Sequence, residues 1–404
     1  MVFSKISTFF FFISFALFLS GCSSEENSSV IPSQKVDTNI SQDTNETIPK
    51  PVELVFASKI ALGKALFHDR SLSLTRKQSC ASCHDPLHAF IDNNDNGVNS
   101  AVSLGDDGLS LGDRNAPTLT YAAYIPSFFL DKNNTYVGGQ FFDGRASDLE
   151  QQAKAPFLNN LEMQMPNIVS VVQRVKENQD YVLAMKKFFD VNIFDEDELA
   201  FSAVANAIAE FERLPSFASF DSKVDLYTPE NEGLSAQELQ GQDLFVKLDC
   251  VSCHLDLETD ISRPLFTNFE YENLGVPINQ EVRALNKKSN VFIDHGLLDN
   301  PNITDPLQDG RFKVPTLRNI AVTGPYMHNG VFKELKTVIH FYNTRDVEGA
   351  INPETQAPWA KAEVNTTMLR DLRIGSLDMT NSEEDALVAY LRALTDERYT
   401  NLLP

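Results

Sequence analysis

Two short segments of the chain carry the same pattern of reactive side chains. The letters CASCH occupy residues 80–84, and the letters CVSCH occupy residues 250–254. In a Cys-x-x-Cys-His motif, both thiols form thioethers with the vinyl groups of one haem, and the following imidazole ligates its iron. Two intervening residues let both sulfurs reach one edge of the porphyrin. The repeat therefore predicts two covalently bound haem c groups, one on Cys80, Cys83 and His84 and one on Cys250, Cys253 and His254.

Three other chemistries use paired cysteines at this spacing. Disulfides, a redox-active dithiol and a zinc site are all compatible with Cys-x-x-Cys. None of them explains why a histidine directly follows both pairs. Covalent haem attachment in bacteria takes place outside the cytoplasm, so the haem interpretation also requires that the chain is exported.

The N-terminus has the features of an export signal. Lys5 precedes an apolar run from Phe9 to Leu19, which is long enough for a signal peptide but short for a spanning helix. The run ends in Leu-Ser-Gly-Cys, which resembles the lipobox of bacterial lipoproteins. We therefore expect residues 1–21 to be a signal peptide and Cys22 to be lipidated. Such an anchor would hold the protein in the periplasm at a membrane surface, which we expect to be the outer membrane. An ordinary secretory peptide is the alternative.

Composition separates a tether from the folded part. Residues 22–52 are rich in Ser, Asn, Asp and Thr and contain no aromatic residue, so they are predicted to be disordered. The ~350 residues that follow exceed one typical core and predict two domains, at 53–225 and 226–404. Apolar residues make up 42% of the chain, enough to form both cores. A net charge of −22 excludes nucleic acid as a partner, because the chain would repel phosphate.

The elements that would hold the two motifs are mainly helices. Amphipathic spacing predicts helices at 57–67, 168–189, 196–213, 235–247 and 384–394. Capping boxes are expected at Ser235 with Glu238 and at Thr380 with Glu383. Strand signals are few. The polar loops at 91–118 and 255–316 are too long for simple connections, so we expect them to wrap the haems. The expected fold class is mainly α.

Several longer stretches resemble one protein family. The segments LGKALFHDRSLS, CASCHDPLHAF, GDRNAPTLT, QFFDGRASDLEQQAKAPFLNNLEM and VPTLRNIAVTGPYMHNGVF are similar to those of the bacterial di-haem cytochrome c peroxidase and MauG family. The resemblance extends from about residue 53 to the C-terminus. It implies an N-terminal peroxidatic domain and a C-terminal electron-transfer domain, each cytochrome c-like. It further implies that hydrogen peroxide is reduced at the His84 haem by electrons that a small cytochrome c or a cupredoxin delivers to the His254 haem.

The same resemblance assigns further site residues. Gln152 and Glu162 match the family's catalytic pair above the peroxidatic iron. There Glu162 would move a proton from one peroxide oxygen to the other, and Gln152 would orient the exchange by hydrogen bonding. The side chain of Asn115 and the backbone carbonyls of Thr323 and Pro325 match a calcium site between the haems, and such hard oxygen ligands suit that ion.

The ligands of the two irons depart from the usual peroxidase pattern. Many family members have a histidine that blocks the peroxidatic iron, but this chain has no histidine between His88 and His254. We therefore expect a five-coordinate His84 haem at rest. At the other iron, the position fourteen residues after His328 is a tyrosine rather than a methionine. We expect that residue, as in MauG-like members, to be the second axial ligand. The expected ligand is Tyr342, and the alternatives are His340 and Met327.

The sequence also allows expectations for two aromatic positions and for the remaining histidines. Phe142 occupies the position at which family members have a tryptophan between the haems, and the only tryptophan is Trp359. A charge-sharing mechanism through an aromatic relay is therefore less well supported. Three histidines are expected at ordinary surface or capping positions, and His328 is expected to bond a haem propionate or its own loop. The three are His68, His88 and His295.

Two other functions remain open. A MauG-like oxidase would use peroxide to modify side chains of a partner protein, and Tyr342 together with the missing histidine favours it. A non-catalytic electron-transfer cytochrome would need six ligands at both irons. The family resemblance also allows a homodimer.

Overall fold

Two groups of helices each enclose an apolar core. The computed structural model describes residues 55–227, 233–254, 263–288, 291–370 and 373–404. The predicted signal peptide and the whole predicted tether, with Cys22, lie outside these residues. The helices in the first half are α1 (Lys59–His68), α2 (Cys80–Cys83), α3 (Leu149–Leu158), α4 (Ile168–Lys176), α5 (Gln179–Phe188), α6 (Asp197–Glu212) and α7 (Lys223–Leu226). Those in the second half are α8 (Ala236–Lys247), α9 (Val251–His254), α10 (Gln280–Leu285), α11 (Leu335–Thr344) and α12 (Asn381–Arg392).

In the first group, α6 is the central helix and packs against α1, α3 and α4. It can do so on several sides because alanine, valine, isoleucine and phenylalanine cover most of its surface. The tightest approach is between α1 and α6. A Cβ atom on Gly63 would overlap the backbone carbonyl of Ala207, so only glycine permits this crossing.

The second group repeats this arrangement. Helix α8 packs against α12, which also packs against α11. At the crossing, a Cβ atom on Gly241 would overlap the backbone carbonyl of Ala386. Gly63 lies in LGKALF before the first haem motif, and Gly241 lies in QGQDLF before the second. The internal repeat of the sequence is thus a repeat of helix packing as well.

Local capping sets several helix ends as predicted. Ser235 with Glu238 and Thr380 with Glu383 form complete capping boxes at the starts of α8 and α12. The predicted helix at 168–189 is instead two helices, α4 and α5. The break occurs at Asn178, whose side chain accepts a hydrogen bond of 2.9 Å from the backbone N–H of Asp180 and begins a new helix.

Strands in the described residues are two residues long and form separate antiparallel pairs. The antiparallel pairs are β1 (Phe129–Leu130) with β2 (Tyr136–Val137), β3 (Tyr271–Glu272) with β4 (Phe312–Lys313), and β5 (Ile351–Asn352) with β6 (Ala357–Pro358). The mainly helical fold class is therefore confirmed. The loop at 91–118 has no helix, whereas the region 255–316 contains α10, β3 and β4 within its described part. The domain boundary between residues 225 and 226 stays a prediction.

No helix among the described residues is both long and apolar enough to cross a membrane.

Candidate functional site

The first Cys-x-x-Cys-His motif forms the short helix α2 and the residue after it. Ser79 precedes the helix and forms a capping box with Ser82. The Nδ1 atom of His84 lies 3.0 Å from the backbone oxygen of Phe90. Since a carbonyl oxygen can only accept, Nδ1 carries the proton and Nε2 keeps its lone pair. His84 is thereby prepared to bind a metal through Nε2.

The second motif repeats this geometry on α9. The Nδ1 atom of His254 lies 3.1 Å from the backbone oxygen of Phe266. Phe90 and Phe266 both adopt a left-handed backbone conformation, each with a φ of 56°. The same local fold therefore orients both histidines, although the sequences around the two phenylalanines differ.

Burial keeps both histidines neutral, as a metal ligand must be. It lowers the pKa of His84, and it lowers the pKa of His254 to about 4. The four motif cysteines form no disulfide. Burial, followed by the carboxylate of Asp92, raises the pKa of the Cys83 thiol to about 12. Free thiols in this setting would be inert, which disfavours the redox-dithiol alternative.

The first motif opens into a cavity of about 410 Å³. Gln152, from α3, and Glu162, from the loop after it, line this cavity together with His84 and both cysteines of the motif. The structure thus brings together the predicted catalytic pair and the first haem-binding motif. His84 is the only histidine among the described residues that line the cavity.

Glu162 is held in place by the loop that carries it. Its Oε1 atom accepts a hydrogen bond of 2.6 Å from the side-chain amide of Asn159. Its backbone oxygen accepts from the N–H of Asp106 at 2.8 Å. Burial raises the pKa of Glu162, while Arg145 and the bond from Asn159 act in the opposite direction. The carboxyl group is therefore fixed in position and more basic than an exposed glutamate.

The second motif opens into another cavity, of about 260 Å³. Tyr342 and Met327 line it together with His254, and burial raises the pKa of Tyr342. His340 is not among the lining residues. Its Nδ1 atom instead lies 2.8 Å from a carboxylate oxygen of Glu384. The structure therefore separates His340 from the other two predicted ligands.

Asn115 lies between the two cavities and lines both of them. Thr323 and Pro325 line the second cavity, so the three predicted calcium ligands lie in one region. The Nδ2 atom of Asn115 donates a hydrogen bond of 3.1 Å to the carbonyl of Ala101. Among the described residues, no group of three His, Cys, Asp or Glu side chains could hold a metal ion. A cation here would therefore depend on neutral amide and carbonyl oxygens.

A thin wall separates the cavities. The residues that line both are Asn115, Pro117, Thr118, Phe142, Asp294, Lys313, Val314, Pro315 and Thr316. Phe142 thus lies in the wall that both cavities share. It is the residue that replaces the tryptophan expected from the sequence resemblance. Lys313 is the one lysine in the wall; it bonds the carbonyl of Gly139, and burial lowers its pKa to about 7.

The remaining histidines lie where their neighbours can bond them. Three lie away from the cavities: His68 bonds the backbone of Lys64, and the other two bond carboxylates, His88 to Asp85 and His295 to Asp309. His328 differs, because its ring stacks on Phe312 at 3.6 Å and lines the second cavity. Its buried Nε2 atom has no hydrogen-bond partner among the described residues.

Sequence reasoning missed Glu212, which lines the first cavity at the end of α6. It occupies the apolar stripe of that helix, one turn after Ile208 and two turns after Val204. A glutamate at such a position is the only sequence signal that could have identified it.

The residues in both cavities fit a covalently bound haem c. Each cavity offers two unpaired thiols and a neutral motif imidazole with Nε2 available, and each is lined largely by apolar side chains. A zinc site would need four ligands from the protein, and the described residues offer no such group.

Comparisons with known proteins agree with this geometry. The family model described as di-haem cytochrome c peroxidase matches residues 57–233. The chain is 47% identical over 348 residues to the methylamine utilization protein MauG of Paracoccus denitrificans, an alignment that covers 85% of this chain and 90% of that protein. It is 31% identical to the cytochrome c551 peroxidase of Nitrosomonas europaea, over 71% of this chain and 73% of that protein.

A solved structure is similar to this chain as well. The crystal structure of the diheme peroxidase BthA from Burkholderia thailandensis matches with a TM-score of 0.75 and 30% identity, over 86% of this chain and 88% of that one. The chain therefore belongs to the di-haem cytochrome c peroxidase family, and it is an oxidoreductase that acts on hydrogen peroxide through two haem c groups.

Proposed function

We propose that the protein reduces hydrogen peroxide to water at the His84 haem. The electrons would come from a small cytochrome c or a cupredoxin and would arrive at the His254 haem. The observation that carries this proposal is that Glu162 and Gln152 line the same cavity as His84, with no second histidine among the described lining residues. An iron in this cavity would keep one position for peroxide, next to an acid-base group.

Glu162 performs the proton transfer. Cleaving the O–O bond requires a proton to leave one peroxide oxygen and reach the other, so that water rather than hydroxide departs. The raised pKa of Glu162 suits it to both halves of this exchange. The bond from Asn159 holds one carboxylate oxygen, which leaves the other for peroxide. Gln152 orients the peroxide through its amide. The haem supplies the iron that binds peroxide and the electrons that reduce it.

In this proposal Tyr342 would be the second protein ligand that holds the His254 haem. It lines the cavity that holds His254, whereas His340 is engaged with Glu384. Met327 is the remaining alternative, since it lines the same cavity. A phenolate ligand stabilises oxidised iron and lowers its reduction potential, so a protein that donates electrons to the His254 haem would itself need a low potential.

This ligand favours a second candidate function. An enzyme with a low-potential second haem could store oxidising equivalents from peroxide and withdraw electrons from side chains of a partner protein. The 47% identity to a MauG protein supports this candidate. Both candidates share the reaction of peroxide at the His84 haem and differ only in the electron source.

We also infer a calcium ion between the haems, with the side chain of Asn115 and the carbonyls of Thr323 and Pro325 as ligands. Their common position beside the second cavity supports this site. The N-terminal sequence further supports a periplasmic protein whose Cys22 carries a lipid anchor to the outer membrane. The proposal allows a homodimer.

The decisive experiment compares Glu162→Gln with the wild-type holoprotein. Mixing the ferric protein with hydrogen peroxide in a stopped-flow spectrometer should show a reaction slower by about 100-fold or more in the variant, because an amide cannot accept the proton. Glu150→Gln, a change on α3 at a half-buried position outside the cavity lining, serves as the matched control and should react normally. Unchanged kinetics in Glu162→Gln would return the protein to the class of electron carriers.

The electron source is tested separately. Rapid turnover of a reduced small cytochrome with peroxide supports the peroxidase. A long-lived, two-electron-oxidised protein that hardly oxidises the cytochrome supports the oxidation of a partner protein.

A further inference from the structure

Glu212 is an unexplained acid in the first cavity. Its side chain is 3% exposed, and its Oε2 atom has no hydrogen-bond partner among the described residues. A buried carboxyl oxygen without a partner is costly, so its retention points to a role beyond packing. Because the residue lines the cavity, that role concerns what the cavity holds.

The charged groups around Glu212 do not offset the cost of burying its carboxyl group. Arg213 is the one charged group that lowers its pKa, but the Arg213 guanidinium lies 3.1 Å from Glu210 and 3.9 Å from Glu150. Four basic groups on the helices packed against α6 have other partners. Lys59 of α1 bonds Asn206, His68 of α1 bonds the backbone of Lys64, Lys154 of α3 lies 3.9 Å from Glu198, and Arg174 of α4 bonds the carbonyl of Leu74.

Glu212 and Glu162 both line the first cavity, and both act on the same thiol. After burial itself, the carboxylate of Glu212 is the largest influence that raises the pKa of the Cys80 thiol, and Glu162 acts on that thiol in the same direction. Cys80, Cys83 and His84 would hold the haem in this cavity, and Glu212 lines the same cavity.

We propose that Glu212 delivers protons to the first cavity during peroxide reduction. This inference rests on the proposed function of the cavity. Reducing one hydrogen peroxide to two waters consumes two electrons and two protons. Glu162 only moves a proton that peroxide already carries, so both additional protons must enter from outside. Glu212 gives one of these protons to the cavity and regains it from solvent before the next is needed.

The state of the side chain suits this role. Burial raises the pKa of Glu212 to about 8, so at neutral pH the group is an uncharged acid that can donate a proton. Adding an electron to a neighbouring haem makes proton loss from Glu212 harder. The potential of the His84 haem should thus be independent of this group below pH 8 and should fall as the pH rises above it.

The test uses Glu212→Gln in the holoprotein, with Glu198→Gln, an exposed acid near the start of α6, as the control. The first readout is the pH dependence of the His84 haem potential, followed by optical and paramagnetic-resonance redox titration. The wild type and the control should show the decline above pH 8, and Glu212→Gln should lose it. Glu212→Met gives the same test if the amide variant fails to load two haems.

The second readout is steady-state peroxide reduction. Since O–O cleavage consumes no net proton, kcat/KM for peroxide should be nearly unchanged in Glu212→Gln. The later water-forming steps need protons, so kcat should fall by about 10- to 100-fold. Glu212→Asp keeps an acid and should recover part of kcat.

Two failures can be distinguished. If Glu162→Gln abolishes the peroxide reaction but Glu212→Gln keeps both the pH-dependent potential and kcat, the role of Glu212 is overturned while the proposed function stands. If Glu162→Gln also reacts normally, the proposed function itself fails.

Discussion

His340 and Tyr342 lie two residues apart on α11 and have different environments. Tyr342 lines the cavity of His254, whereas the imidazole of His340 bonds the buried carboxylate of Glu384 at 2.8 Å. Residues at this spacing point to nearly opposite sides of a helix, so only one of them can reach the haem.

Exchanging the ligand should change the redox chemistry of the second haem. In Tyr342→Met, a thioether replaces the phenolate, and the reduction potential of the His254 haem should rise. Spectroelectrochemistry and paramagnetic resonance measure this. His340→Gln is the matched control and should leave the potential unchanged. A potential that does not respond to Tyr342→Met would exclude Tyr342 as a ligand and favour Met327.

Removing the partner of Glu162 should shift the pH profile of the peroxide reaction. The amide of Asn159 stabilises the ionised carboxylate with a bond of 2.6 Å, so Asn159→Ala should raise the pKa of Glu162. The rise in kcat/KM with pH, which reports the ionisation of Glu162, should then move to higher pH. Asn160→Ala, an exposed neighbour, should keep the wild-type profile. An unshifted profile in Asn159→Ala would mean that another group controls it.

A methyl group at either helix crossing, at Gly63 or at Gly241, should lower the stability of the protein by a similar amount. Gly63→Ala and Gly241→Ala each force a helix away from a backbone carbonyl, and each should destabilise the protein by about 1–3 kcal/mol. Urea denaturation of the holoprotein checks this. Gly112→Ala is the control, because a Cβ atom there meets only ordinary contacts beyond 3.6 Å. Equal denaturation midpoints for the three variants would contradict the role of the crossings.

The buried ion pair between Arg318 and Asp225 should support the His254 haem. The guanidinium makes two bonds of 2.8 and 2.9 Å to Asp225 and donates to the carbonyl of Pro264, two residues before the carbonyl that orients His254. Asp225→Asn leaves the arginine charge without its partner and should cost about 3–5 kcal/mol. Glu177→Gln in the exposed pair with Arg76 is the control and should cost about 0–1 kcal/mol.

This pair also predicts a pH dependence. Burial alone raises the pKa of Asp225, but the bonds from Arg318 outweigh it and leave the pKa below its usual value. A carboxylate with a lowered pKa stabilises the fold above its unfolded pKa, and this contribution is lost as the pH falls into the acid range. The stability difference between wild type and Asp225→Asn should therefore shrink as the pH is lowered. A stability difference that does not change with pH would indicate that the ion pair is not the source of the pH dependence.

The sequence by itself determined the features that depend on neighbouring residues. The two Cys-x-x-Cys-His motifs, the capping boxes of Ser235 and Thr380, and helices α1, α6, α8 and α12 were recognised, because thiol spacing and helix capping act over four or five residues. Helices α3 and α11, which carry Gln152 and Tyr342, were not predicted. The single helix predicted at 168–189 was wrong for the same reason, since a local cap at Asn178 outweighs the longer apolar pattern.

Only the tertiary structure decided which distant residues share a cavity. Sequence spacing left Tyr342, His340 and Met327 as alternatives, and the packing of α11 against α12 directs His340 to Glu384 instead. Glu212 lies in the apolar stripe of α6, but that signal does not show that it lines a cavity, because an acid at a helix end is ordinarily solvated. Whether such an acid is solvated or buried depends on what packs against its helix, and that packing is set by residues far away in the chain.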